Sequence, residues 1–83
     1  MYWVYVLQSL QDGTLDIGSS ADPNSRLRRH NSGQSRYTAR KRPWKLLGQK
    51  ECSSKGEALM LEKRLKRWKN PSRVRHYFAT EPA

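Results

Sequence analysis

Five polar residues of this 83-residue chain stand where packing alone does not call for them: Tyr5, Asp16, Arg26, His30 and Glu62. A phenol, an imidazole, a guanidinium and two carboxylates can between them move a proton, bind an anion or hold a hard cation. Each also has a plain structural explanation. Tyr5 lies in an apolar run and could be a core residue with its hydroxyl satisfied. Arg26 and His30 are four apart and share one helix face, as ordinary solvated side chains often do. Glu62 sits about 100° round a helix from Leu61, flanking an apolar stripe, where it could simply pair with Lys66 one turn on. No one of the five is specific alone, so the elements that carry them must decide.

Tyr2–Ser9 alternates aromatic and β-branched residues, with Tyr2, Val4 and Val6 on one side and Trp3, Tyr5 and Leu7 on the other. Apolar residues on both faces imply a central strand covered by helix on at least one side. Asp12-Gly13 signals a hairpin turn leading into a second strand, Thr14–Ser20, on which Leu15 and Ile17 share one face and Asp16 and Gly18 the other. Asp22-Pro23 opens a helix with an N-cap and a proline at its first position, and Asn31-Ser32-Gly33 closes it. Leu27 is its single large apolar residue, so it should dock weakly or lie over the sheet edge. Residues 32–43 read as a polar, basic loop, and Trp44–Cys52 as a third strand. Ser54 and Glu57 form a capping box ahead of a helix burying Ala58, Leu61, Leu65 and Trp68, with Lys63, Arg64, Lys66 and Lys69 outward. Asn70-Pro71 ends it and starts a last helix over about 71–78, using Val74, Tyr77 and Phe78, after which the chain looks loose. The expectation is one α+β domain over 1–83, core about 2–69, with a small three-stranded, mostly antiparallel sheet flanked by helices in the order β-β-α-β-α-α.

Charge is distributed unevenly along these elements. Residues 1–22 hold three Asp and no Lys or Arg, whereas residues 23–50 hold nine cations and no carboxylate. Such a block cannot neutralise itself; a polyanion is the natural partner, and nucleic acid the obvious one, the alternative being a solubilising surface. Arg29, Arg36, Arg40, Lys41, Arg42 and Lys45 are the candidate backbone-binding residues. A mean hydropathy of −1.01 and the lack of a long apolar run argue against a membrane role. Three Trp, four Tyr and one Phe are too many aromatics for a disordered basic tail. A single cysteine, Cys52, permits neither an intrachain disulfide nor a zinc cluster, so a reduced, cytoplasmic protein is expected.

Taken together, Trp3-Val4-Tyr5, Asp16-Ile17-Gly18, Arg26, His30 and Glu62 resemble the GIY-YIG endonuclease domain, and most closely its small single-domain (UPF0213-like) branch. The resemblance covers about residues 2–69. It includes the step from Tyr5 to Asp16, the further step to Arg26, the histidine one turn later, and the helix Glu57-Ala58-Leu59-Met60-Leu61-Glu62. Asn31-Ser32-Gly33 and Arg42-Pro43-Trp44 are similar to the small branch as well. The resemblance implies metal-assisted hydrolysis of a nucleic-acid phosphodiester, with DNA ahead of RNA and a partner protein as the source of any sequence specificity. Tyr5 would orient or deprotonate the attacking water, and Arg26 would stabilise charge on the phosphoryl oxygens. His30 would assist proton transfer, and Glu62 would bind one Mg²⁺ or Mn²⁺. Gly18 would let its strand lie close to neighbours or substrate.

Two positions depart from the family pattern. Trp3 replaces the first glycine, which the small branch often lacks. Asp16 replaces the active-site tyrosine of the second tripeptide. A phenol donates to a phosphate oxygen, whereas an ionised aspartate only accepts and repels it. Three outcomes stand open: Asp16 joins Glu62 as a metal ligand, cleavage is slow or absent, or the chain is a non-catalytic nucleic-acid-binding module.

Overall fold

The computed structural model describes residues 1–33 and 36–80. Along the chain run β1 (Tyr2–Ser9), β2 (Leu15–Ser20), α1 (Pro23–Asn31), α2 (Arg36–Ala39), β3 (Trp44–Cys52), α3 (Lys55–Trp68) and α4 (Pro71–Thr80). The fold is α+β, with a three-stranded sheet in the order β2-β1-β3 that is antiparallel throughout. The expected basic loop is interrupted by the one-turn helix α2, which the short apolar content of that segment does not announce. Within that loop Gln34 and Ser35, and at the end Glu81–Ala83, lie outside the described residues.

β1 is central and has helices on both sides. One face presents Tyr5, Leu7 and Trp44, packed with Leu46 and with Leu27 of α1. The opposite face presents Val4 and Cys52, packed with Ala58 and Leu65 of α3 and flanked by Ile17, Leu61, Trp68, Tyr77 and Phe78. A bulge opposite Val6 and Leu7 shifts the β3 register, so that Leu46 and Trp44 join the α1 side. α1 therefore crosses the sheet face and touches all three strands. Leu27 suffices to dock it because the sheet itself supplies the other apolar groups.

The helix ends follow from local chemistry. Asp22 Oδ1 accepts from Ser25 N at 3.3 Å, with Pro23 behind it. Ser54 Oγ accepts from Glu57 N at 3.1 Å, while the Glu57 carboxylate takes the Ser53 hydroxyl instead of closing the box on the backbone. Lys69 leaves α3 in the left-handed conformation (φ 47°), and Asn70 Oδ1 then caps α4 through Arg73 N at 3.1 Å.

Leu65 is 1% exposed whereas Leu61 is only half-buried. Leu65→Ala is accordingly expected to cost about 2–5 kcal/mol and to lower the melting temperature by roughly 10 °C or more. Leu61→Ala should cost clearly less. Equal effects in a thermal melt followed by circular dichroism would contradict this packing of α3.

Candidate active site around the β2 edge

The candidate residues gather on both sides of β2, an edge strand. Its register with β1 sets Gly18 opposite Tyr5 and Asp16 opposite Leu7, which turns Gly18 and Asp16 toward α1. Ser19 points the other way, toward α3. Strand alternation thus lets one short segment serve two helices at once.

Tyr5 is buried, and its ring lies across Gly18. A methyl group at position 18 would overlap the phenol oxygen and Cζ. Glycine here is the space that the tyrosine occupies, a more specific role than close strand approach. Burial chiefly, and then the negative charge of Asp16, push the Tyr5 phenol above its ordinary pKa; Arg26 and Arg29 pull it down and Glu62 pushes it up. At neutral pH Tyr5 is therefore a neutral hydrogen-bond donor amid charges from α1, β2 and α3.

His30, from the last turn of α1, brings Nε2 to 3.2 Å from Asp16 Oδ2. Its ring meets Trp44 edge-on, with centroids 5.6 Å apart, and its Nδ1 is buried without a hydrogen-bond partner. The ring position is fixed from behind. Asn31 accepts from Trp44 N at 2.6 Å and donates to Trp44 O at 3.0 Å, joining the end of α1 to the start of β3. Trp44 Nε1 donates to Thr38 O at 2.8 Å, which draws α2 onto the same side. Burial raises the Asp16 carboxyl above the usual range, against the opposing pull of His30 and Lys66 and with a further push from Glu62. The histidine nitrogen that faces the site is thus engaged by Asp16.

Glu62 arrives from α3 on the other side of β2. Its Oε1 accepts from Ser19 Oγ at 2.7 Å, and its Oε2 pairs with Lys66 Nζ at 2.7 Å. The side-chain exposures are 17% for Glu62 and 54% for Lys66, so the carboxylate is held and the ammonium can leave. The Lys66 pair foreseen as the plain explanation for Glu62 does form, and it coexists with the link to β2. Among the described residues no cluster of three or more His, Cys, Asp or Glu could enclose a metal ion. A hydrated Mg²⁺ or Mn²⁺ needs less: one carboxylate suffices when water and phosphate supply the remaining oxygens. Glu62 fits that mode, since one of its oxygens already holds a cationic group that can exchange.

Arg26 is half-buried on α1, within electrostatic reach of Tyr5. Arg29, Arg36, Arg40 and Lys45 are exposed, as a backbone track requires. Two expected members of the track are engaged elsewhere. Lys41 Nζ binds Asp12 Oδ2 at 2.6 Å and Thr14 Oγ1 at 3.2 Å, and Arg42 Nε donates to Ala39 O at 2.9 Å. The loop is in turn pinned to the hairpin by Ser9 Oγ donating to Lys41 O at 2.7 Å and Leu10 N to Pro43 O at 2.8 Å. Ser19, Asn31 and Trp44 are the supporting residues not anticipated as such. Lys66 was legible as a partner of Glu62 from its i,i+4 spacing.

A central antiparallel sheet lies between helices, with phenol, guanidinium, imidazole and carboxylates gathered about one edge strand. The family model for the GIY-YIG catalytic domain matches residues 1–77, and the chain belongs to the GIY-YIG family, a nuclease-like family whose substrate is nucleic acid. Relatives include the UPF0213 proteins of Staphylococcus aureus strains Mu3, Mu50 and N315. Each is 35% identical over 75 residues, covering 89% of this chain and 90% of the relative. No solved structure matches the chain. Among the described residues no helix is long and apolar enough to cross a membrane.

Proposed function

We propose that this protein is a divalent-metal-dependent endonuclease acting on DNA, with turnover lowered by Asp16. The observation that carries this is the meeting of α1 and α3 chemistry at β2: Tyr5 over Gly18, His30 on Asp16, and Glu62 tied through Ser19. Arg26 would receive the charge that develops on the phosphoryl oxygens, its fork matching two of them. Tyr5, protonated at neutral pH, would orient the attacking water or a phosphate oxygen by donating a hydrogen bond. Glu62 would hold Mg²⁺ or Mn²⁺ after Lys66 swings away; the ion supplies Lewis-acid stabilisation of the phosphoryl charge when bound. His30 would accept or deliver a proton only after Asp16 releases its Nε2. Arg29, Arg36, Arg40 and Lys45 would follow the sugar–phosphate backbone, and any sequence specificity would come from a partner protein.

The Asp16–His30 pair favours a second reading, a nucleic-acid-binding module without cleavage. A carboxylate there withholds the imidazole and repels phosphate. Asp16→Tyr separates the two. For a hampered nuclease, nicking of supercoiled DNA in Mg²⁺ should rise by at least about 10-fold with binding unchanged, because the imidazole is freed and an anion removed. No cleavage by either form, with binding that weakens steeply as salt rises, would leave the module reading standing. A fall in both rate and Mn²⁺ affinity would instead make Asp16 a metal ligand.

A further inference from the structure

Of the eight aromatic side chains in this protein, seven are buried or half-buried and one is exposed: Tyr37, at 63%. It stands on α2 between the exposed Arg36 and Arg40, inside the block of residues 23–50 that holds no carboxylate. Leaving a large ring open to water forgoes apolar burial, so a lone exposed aromatic needs no explanation on a mixed surface but stands out on a cationic one.

The ring is also held in place. Lys41 Nζ lies 5.5 Å from its centroid, and that ammonium is itself fixed by Asp12 at 2.6 Å and Thr14 at 3.2 Å. Beside it, the buried Thr38 offers its carbonyl to Trp44 Nε1 at 2.8 Å, which seats α2 on the sheet. Trp44 in turn packs against His30, so α2 lies on the α1 side, with Arg26 and His30. An aromatic face already oriented on a rigid support loses little freedom when a flat ligand stacks on it.

We propose that Tyr37 is a stacking platform for an unpaired nucleobase, and that the basic α1–α2 face takes nucleic acid containing single-stranded or splayed nucleotides. This rests on the reading of that face as a nucleic-acid surface and narrows its ligand. In a continuous duplex each base face is covered by its neighbours, so an exposed tyrosine finds nothing to stack on. A nucleotide free of its stack offers a π-face to Tyr37 while Arg36 and Arg40 take the flanking phosphates.

The test compares two fluorescein-labelled probes by anisotropy: a short oligothymidylate, and a blunt duplex of equal length. Tyr37→Ala is expected to weaken oligothymidylate binding by about 5- to 150-fold, to leave duplex binding within about 2-fold, and to keep the salt dependence of both. Tyr37→Trp should bind oligothymidylate at least as well as the parent, showing that a ring, and not the hydroxyl, is needed. Equal losses on both probes, or none on either, would overturn the platform while salt-dependent binding by the parent would preserve the nucleic-acid surface. A parent protein that binds neither probe would remove both.

Discussion

Glu62→Gln is expected to lose at least about 100-fold in Mg²⁺-dependent nicking while melting within a few degrees of the parent. The amide keeps the shape of the carboxylate, and its oxygen can still accept from Ser19 Oγ, so the seam between β2 and α3 is preserved. What is lost is the negative charge that would hold a hard cation. Isothermal titration with Mn²⁺ gives a readout separate from turnover: the heat of binding seen for the parent should vanish for Glu62→Gln. Lys66→Ala should act in the opposite direction and tighten Mn²⁺ binding, because it removes the ammonium now 2.7 Å from Oε2. Arg26→Ala should lower nicking as far as Glu62→Gln does and leave Mn²⁺ binding alone. Parental cleavage by both Glu62→Gln and Arg26→Ala would mean that no hydrolysis occurs at this site.

The central place of β1, its hairpin with β2, and the helices α1, α3 and α4 were legible because the signals for them are local. Asp12-Gly13, Asp22-Pro23, Ser54 with Glu57, and Asn70-Pro71 each mark an end by their own backbone chemistry, and Val4, Leu65 and Val74 mark faces by period. The one-turn helix α2 was not legible. What seats it is a tertiary bond from Trp44 Nε1 to Thr38 O, and no pattern within Arg36–Ala39 encodes that bond. The docking of α1 was legible only in part: Leu27 is a poor apolar stripe and Pro23 is the one buried residue of the helix, as weak docking implies, but the β3 bulge that presents Leu46 and Trp44 to it is invisible in spacing alone.

At the site, residue types and order were readable and orientations were not. Strand alternation put Asp16 and Gly18 on one face, but only the register shows that this face is the one beneath α1 and that Ser19 reaches Glu62 from behind. Asp16 was marked as a departure from the family pattern. That it captures His30 depends on where α1 ends, and Asn31 and Trp44 decide that end through two hydrogen bonds between the Asn31 side chain and the Trp44 backbone. The basic block likewise read as one track, yet Lys41 is engaged across the hairpin turn by Asp12, the carboxylate of which is held below its ordinary pKa by that ammonium.

Gly18→Ala is expected to remove cleavage as completely as loss of the Tyr5 phenol, although it adds only one methyl group and replaces no candidate catalytic side chain. On an ordinary strand this change is mildly favourable, since glycine sacrifices more chain entropy on folding than alanine. Here the added Cβ would fall on Tyr5 Oη and Cζ, and the buried ring has little room to retreat. The expected cost is about 1–3 kcal/mol of overpacking, with the phenol displaced from its seat over position 18. A double-mutant cycle separates the steric clash from any general intolerance of β2. In a Tyr5→Leu background the overlapping atoms are gone, so Gly18→Ala should be neutral or stabilising in a thermal melt. Should Gly18→Ala nick DNA at the parental rate and melt at the parental temperature, the ring does not lie across position 18, and the meeting of the two helices at β2 loses its central member.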